Sequence, residues 1–167
     1  MDFYEVIEQR RSVRAYRKDP VEEGKLARVL NAARVAPSAA NRQPLKLYVI
    51  RGEALRAKML EAYGQQWFVD APVIICACGR TSEAWTRADG KCYADVDVTI
   101  AMDHLILAAT AEGLGTCWIG AFKPDKLRAL LNLPKEEDPV ALTPLGYPAA
   151  AAKPTKRKAL DEIVEYR

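Results

Sequence analysis

Apolar residues recur along this chain in two patterns, a helical spacing and short unbroken runs. Phe3, Val6 and Ile7 share one helical face over residues 2–10, with Asp2 placed to cap it. Leu26, Val29, Leu30 and Ala33 stand at amphipathic spacing and predict a helix over 21–35 that stops at Ala36-Pro37. The run Leu45 to Ile50 predicts a strand ended by Gly52, and residues 53–63 a further helix. Val73 to Cys78 is apolar without alternation, so a strand there should be covered on both faces. Residues 80–91 are polar and predict a surface excursion, with Trp85 as a lid or interface candidate.

Residues 93–112 form the longest predicted helix. Its apolar residues, from Val98 through Met102 to Ala109, cover nearly the whole circumference. A helix of that kind is buried in a core or an interface. A chain of 167 residues struggles to surround it, which points to a second subunit. Gly113 suits a left-handed helix stop. A short helix over 124–131 begins with Pro124 at a favoured position, and Val140 to Pro148 predicts the last core strand. Ala149 to Lys158 is a low-complexity basic arm. The tail from Leu160 to Val164 carries apolar residues that need a surface.

Length and composition fit one globular domain, 1–167, with a real core. The net charge of +3 is too mild to argue for nucleic acid. The basic residues cluster instead at 9–18 and 153–158. The N-terminus has no apolar leader, and the apolar stretch near 98–111 is too short and too interrupted to span a bilayer. These features lead us to expect a cytoplasmic protein with no membrane partner. Cys76 and Cys78 lie two apart in a strand and face the same way, while Cys92 and Cys117 supply no second ligand pair. The four read as small hydrophobes rather than a metal site. The single histidine, His104, reads as a partly buried, hydrogen-bonded side chain.

Three stretches carry candidate chemistry. Arg10-Arg11-Ser12-Val13-Arg14 places guanidinium forks around a hydroxyl, the donor set that suits a phosphate, with Val13 and Tyr16 as apolar anchors. Alone it fits a solvated basic corner equally well. Pro37-Ser38-Ala39-Ala40-Asn41-Arg42-Gln43-Pro44 is a loop bounded by prolines, whose short polar groups suit a polyol or the edge of a heteroaromatic ring. Alone it is also an ordinary helix-ending turn. In the stretch Gly113 to Phe122, Gly120 and Ala121 leave their backbone N–H groups open to a flat ligand. The plainer alternative is a tight turn with Trp118 and Ile119 in the core.

In their order and spacing these three stretches, with Arg157-Lys158-Ala159-Leu160, resemble the FMN-dependent nitroreductase family. The resemblance covers about residues 10 to 160. It implies an α+β fold with a central, mostly antiparallel sheet flanked by helices. It also implies an intertwined homodimer, with FMN at the subunit interface and the 149–167 arm packed on the partner. By similarity, Arg10, Ser12, Arg14 and Arg157 hold the FMN phosphate and ribityl end, and Arg11 contacts the flavin side of that cluster. Pro37, Ser38, Ala39, Asn41 and Gln43 line the flavin from the other subunit. Trp118, Ile119, Gly120 and Ala121 complete the set, the last two with N–H groups near flavin N5 and O4. Ala159 stands where many relatives have proline, which leaves the arm's phosphate contact open among Lys156, Arg157 and Lys158.

The implied activity is an FMN oxidoreductase that uses NAD(P)H to reduce a small-molecule acceptor, nitroaromatic, quinone or similar, by ping-pong transfer. The alternatives are an FMN-binding protein without turnover and, further off, a nucleic-acid module. Hydride chemistry belongs to the flavin, so no side chain is assigned as catalytic.

Overall fold

The computed structural model describes residues 1–167. Four strands form one antiparallel sheet in the order β1-β2-β4-β3: β1 Leu45–Ile50, β2 Val73–Arg80, β3 Gly115–Thr116 and β4 Glu137–Gly146. β2 lies at the centre, with Val49 opposite Ile75 on one side and Ile75 opposite Thr143 on the other. Six helices surround the sheet: α1 Phe3–Gln9, α2 Glu23–Arg34, α3 Glu53–Lys58, α4 Gln66–Asp70, α5 Ala94–Ala111 and α6 Pro124–Leu131. This is the α+β architecture implied by the sequence. No helix is long and apolar enough to cross a membrane.

The unbroken apolar run of β2 has the physical meaning expected of it. Successive strand side chains point to opposite faces. Val73, Ile75 and Ala77 pack with α2 and α5, through Leu26, Val29, Val98, Met102 and Leu105. Ile74, Cys76 and Cys78 pack into the other layer with Met59, Phe68, Leu127 and Leu142. Cys76 and Cys78 share that face, their sulfurs 3.6 Å apart. All four cysteines are free thiols, and Cys92 alone is exposed.

Element boundaries follow the sequence with a few corrections. Asp2 caps α1 in a reciprocal capping box with Glu5. Gly113 stops α5 at φ 74°. The helix expected over 53–63 is α3 followed by a separate 3-10 turn at Met59–Glu61. α4 is only five residues long, too short to leave a periodic trace. His104 is exposed rather than partly buried, although its Nδ1 lies 3.1 Å from the Ile100 carbonyl oxygen. Within one chain α5 buries a single face; Asp103 and His104 are exposed and Leu107 only half-buried.

Candidate functional site

The basic stretch becomes an extended segment along the edge of the sheet. Val13 N–H donates to the Thr116 carbonyl at 2.8 Å, and Ser12 bridges Thr116 in parallel. Further on, Arg17 N–H donates to Tyr147 O and Ala149 N–H to Ala15 O, both at 2.9 Å. The segment is therefore stitched to β3 on one side and to the exit of β4 on the other. Val13 and Tyr16 are both buried, as anchors should be. Burial pushes the Tyr16 hydroxyl well above its ordinary pKa, and the protonated hydroxyl donates to Val13 O at 2.8 Å. Gly115 makes the close approach of this segment possible, and Gly146 makes room for Pro72 beneath it. A Cβ on Gly115 would meet Val13 at 2.8 Å, and one on Gly146 would meet Pro72 at 2.6 Å.

With Val13 turned inward, Ser12 and Arg14 turn outward. They line a cleft of about 660 Å³ with Arg10. The arm after Ala149 closes its far side with Ala150 to Thr155 and Arg157. Four cationic side chains (Arg10, Arg14, Lys153 and Arg157) and two hydroxyls (Ser12 and Thr155) face this space, and no carboxylate does. That donor set suits a phosphate with hydroxyls attached. Thus Arg10, Ser12, Arg14 and Arg157 come together, although Arg157 stands 143 or more positions away along the chain.

Arg11 does not join them in that cleft. Its guanidinium donates to the carbonyls of Glu8 and Arg10, and it lines a neighbouring cleft of about 850 Å³ with Asp103, Leu107, Arg10 and Arg157. Arg10 therefore stands at the junction of the two spaces. Trp118 meets the same group, since Arg10, Asp103, Ile106, Thr116 and Trp118 line a smaller recess. Trp118 is 39% exposed while Ile119 is buried, so only Ile119 belongs to the core. Gly120 and Ala121 are exposed, and their N–H groups donate to no acceptor in the chain. Neither residue lines a cleft that Arg10 lines.

The 37–44 loop lies elsewhere. Pro37, Ser38, Ala39, Asn41 and Gln43 line none of the clefts that Arg10 lines. The loop holds a 3-10 turn at Ala39–Asn41, and Ala40, Asn41 and Gln43 adopt φ of 49°, 52° and 52°. Ser38 braces it, its Oγ accepting from Gln43 N–H at 2.9 Å. The loop is seated on α5, where Asp97 accepts from Ala39 N–H at 2.8 Å. Asp97 was not singled out in the sequence. A lone acid in a helix reads as solvent-facing, and its partner lies 58 positions away. The 80–91 segment folds as a small hairpin closed by a Thr86–Cys92 bridge, in which Trp85 stacks edge-on against Tyr93 at 5.0 Å.

The Nitroreductase family model matches residues 7–69 and 61–147. The chain is 33% identical over 190 residues to an NADH dehydrogenase of Thermus thermophilus, across 95% of this chain and 93% of that one. It is 31% identical over 163 residues to the FMN reductase (NAD(P)H) of Bacillus subtilis, across 86% of this chain and 66% of that one. The crystal structure of a nitroreductase family protein from Clostridium difficile 630 superposes with a TM-score of 0.91 at 38% identity, covering 99% of this chain and 98% of that one. The stitched basic segment, the seated polar loop and the Gly-Ala turn thus sit on a shared fold, and the chain belongs to the nitroreductase family.

Proposed function

We propose that this oxidoreductase binds FMN and takes reducing equivalents from NAD(P)H to reduce nitroaromatic, quinone or similar small acceptors in a ping-pong cycle. The observation that carries the reading is the acid-free cleft where Arg10, Ser12, Arg14 and Arg157 converge. A phosphate there meets paired guanidinium donors and hydroxyls, and no like charge opposes it. Bound FMN supplies the redox chemistry itself. The chain binds, orients and stabilises. Arg10, Arg14 and Arg157 anchor the anionic end, and Trp118 lines the smaller recess with Arg10. The free amides of Gly120 and Ala121 offer N–H donors to negative charge that builds on the ring.

The 37–44 loop is proposed to serve the site of a second copy, which accounts for its distance from the Arg10 clefts. The dimer has a physical motive in one chain's surface. Phe3, Tyr4, Leu160, Ile163 and Tyr166 are each at least 63% exposed. Large apolar side chains left so open on α1 and the arm ask for a cover. We read 1–167 as one domain whose arm, 149–167, packs on its partner. Four free thiols accord with a reducing compartment such as the cytoplasm.

Anaerobic stopped-flow tests the reading. The FMN-loaded protein should bleach on mixing with NADH or NADPH and recover its colour on adding an acceptor, with parallel double-reciprocal plots in steady state. A flavin that stays oxidised under both nicotinamides would reassign the protein to flavin storage.

A further inference from the structure

We infer that Asp97 is a positioning residue, whose buried carboxylate holds the 37–43 loop in the shape that reaches the flavin. This rests on the FMN reading above. Asp97 lies near the start of α5 and is 3% exposed. Its Oδ1 accepts the Ala39 N–H at 2.8 Å, while its Oδ2 is the one buried side-chain polar atom in the chain without a partner. A carboxylate buried on a single hydrogen bond is a costly arrangement that calls for a reason.

The loop supplies that reason. Ala40, Asn41 and Gln43 all sit at positive φ, where residues with a Cβ are strained. Its remaining hydrogen bonds are local: Asn41 N–H to Ser38 O at 3.0 Å, Arg42 N–H to Ala39 O at 3.1 Å, Gln43 N–H to Ser38 Oγ at 2.9 Å, Gln43 Nε2 to Asn41 O at 3.3 Å and Leu45 N–H to Gln43 O at 2.8 Å. Local bonds set the loop's internal shape, and the bond from Arg80 N–H to Pro44 O at 2.9 Å fixes its exit into β1 without holding residues 37–43. The bond from Ala39 to Asp97 is the one that ties residues 37–43 to a distant element. It gives a strained segment a fixed position on α5. The same helix brings Asp103 and Ile106 beside Arg10. One rigid element thus carries both the loop proposed to serve the second copy's flavin and the residues beside this chain's own Arg10.

Three variants test this: Asp97→Ala, Asp97→Asn and Ala39→Pro. The last removes the N–H and leaves the carboxylate in place. Ser38 at φ −138° and ψ 157° already has the backbone that a following proline requires. Two readouts apply: hydrogen exchange of the peptide covering 37–43 in the flavin-free protein, and FMN affinity by fluorescence quenching. Asp97→Ala and Ala39→Pro should each speed exchange in that peptide while β2 stays as in the parent, and each should weaken FMN about tenfold. Asp97→Asn keeps an acceptor for the Ala39 N–H and should stay within about threefold of the parent. The double variant D97A/A39P should bind no worse than the weaker single, because both remove one bond. Unchanged exchange in the two disruptive variants overturns the tether. Faster exchange with parental FMN affinity overturns its role at the flavin, as does an Asp97→Asn variant as weak as Asp97→Ala. If Asp97→Ala does not fold, Ala39→Pro decides alone. A parent that binds no FMN refutes the flavin reading and this inference with it, and the exchange data tell that failure from a missing tether.

Discussion

Gly115→Ala should disturb the site through the fold. An added Cβ at Gly115 would lie 2.8, 2.9 and 3.0 Å from Cγ2, Cβ and Cγ1 of Val13. Ordinary carbon–carbon contact is about 3.5–4.0 Å, so all three are short by roughly half an ångström or more. Rotating the valine about χ1 does not relieve a clash with its Cβ, so the backbone of residues 12–14 has to retreat. That backbone is held by the Val13 N–H bond to Thr116 O and by the burial of Val13 against Tyr16 and Ala71. Overpacking of this kind costs about 1–3 kcal/mol. For a chain of this length each kcal/mol lowers Tm by roughly 2–4 °C, so a fall on the order of 2–12 °C is expected. Because Ser12 and Arg14 flank Val13, FMN affinity should fall as well. Thermal melts of the flavin-free protein and flavin fluorescence titration measure the two effects. The double variant V13A/G115A should be less destabilised than the sum of its singles, since the first change makes room for the second. A Gly115→Ala protein with parental Tm and parental FMN affinity would refute the claim that this contact positions the basic segment.

Further outcomes follow from the same geometry. Arg10→Ala and Arg157→Ala should each weaken FMN binding by about 1–3 kcal/mol, the worth of a lost charge-assisted hydrogen bond, as read by equilibrium titration; parental affinity in both would remove the phosphate from this cleft. Glu137 is buried where β4 begins, accepting from Tyr48 Oη at 2.5 Å and Arg80 Nε at 2.9 Å. Burial pushes its carboxyl up, but the bonds from Tyr48 and Arg80 outweigh it and hold the pKa below the ordinary value. The same bond pushes the Tyr48 hydroxyl up to about 12. A depressed carboxyl stabilises the fold above its unfolded pKa, about 4.3, and that contribution is lost as pH falls through the lower folded value. Melts between neutral pH and pH 3 should therefore show an acid loss of Tm that Glu137→Gln flattens; an equal slope in the variant would assign the loss elsewhere. Light scattering should give the parent a dimer mass, and Leu160→Asp with Ile163→Asp should shift it towards monomer. A monomeric parent would contradict the shared site.

What could be read from the sequence was what local chemistry dictates. The strands at 45–50 and 73–78 announce themselves as apolar runs, the second extended by Gly79 and Arg80 in the fold, and Pro124 and Gly113 mark helix ends through backbone properties of their own. The grouping of Arg10, Ser12 and Arg14 came by similarity, and alternation about the inward Val13 is its physical basis in the fold. Arg157 entered through resemblance, and the arm's bond from Ala149 N–H to Ala15 O explains how it returns to the basic segment. Asp97 and Glu137 were invisible for a common reason. Each is a carboxylate whose burial depends on partners 58 and 89 positions away, and nothing in its own neighbourhood signals that pairing. The split after α3 and the five residues of α4 were lost because elements so short show no periodicity. The exposed apolar face of α1 and the arm points to a partner without specifying how the two chains meet.

The visible spectrum of the purified protein, together with the flavin released on denaturation, tests the central claim most directly. A yellow protein with one FMN per chain is expected, or a colourless one that takes up one FMN per chain when it is added. A protein that stays colourless and leaves added FMN free in solution would contradict that claim.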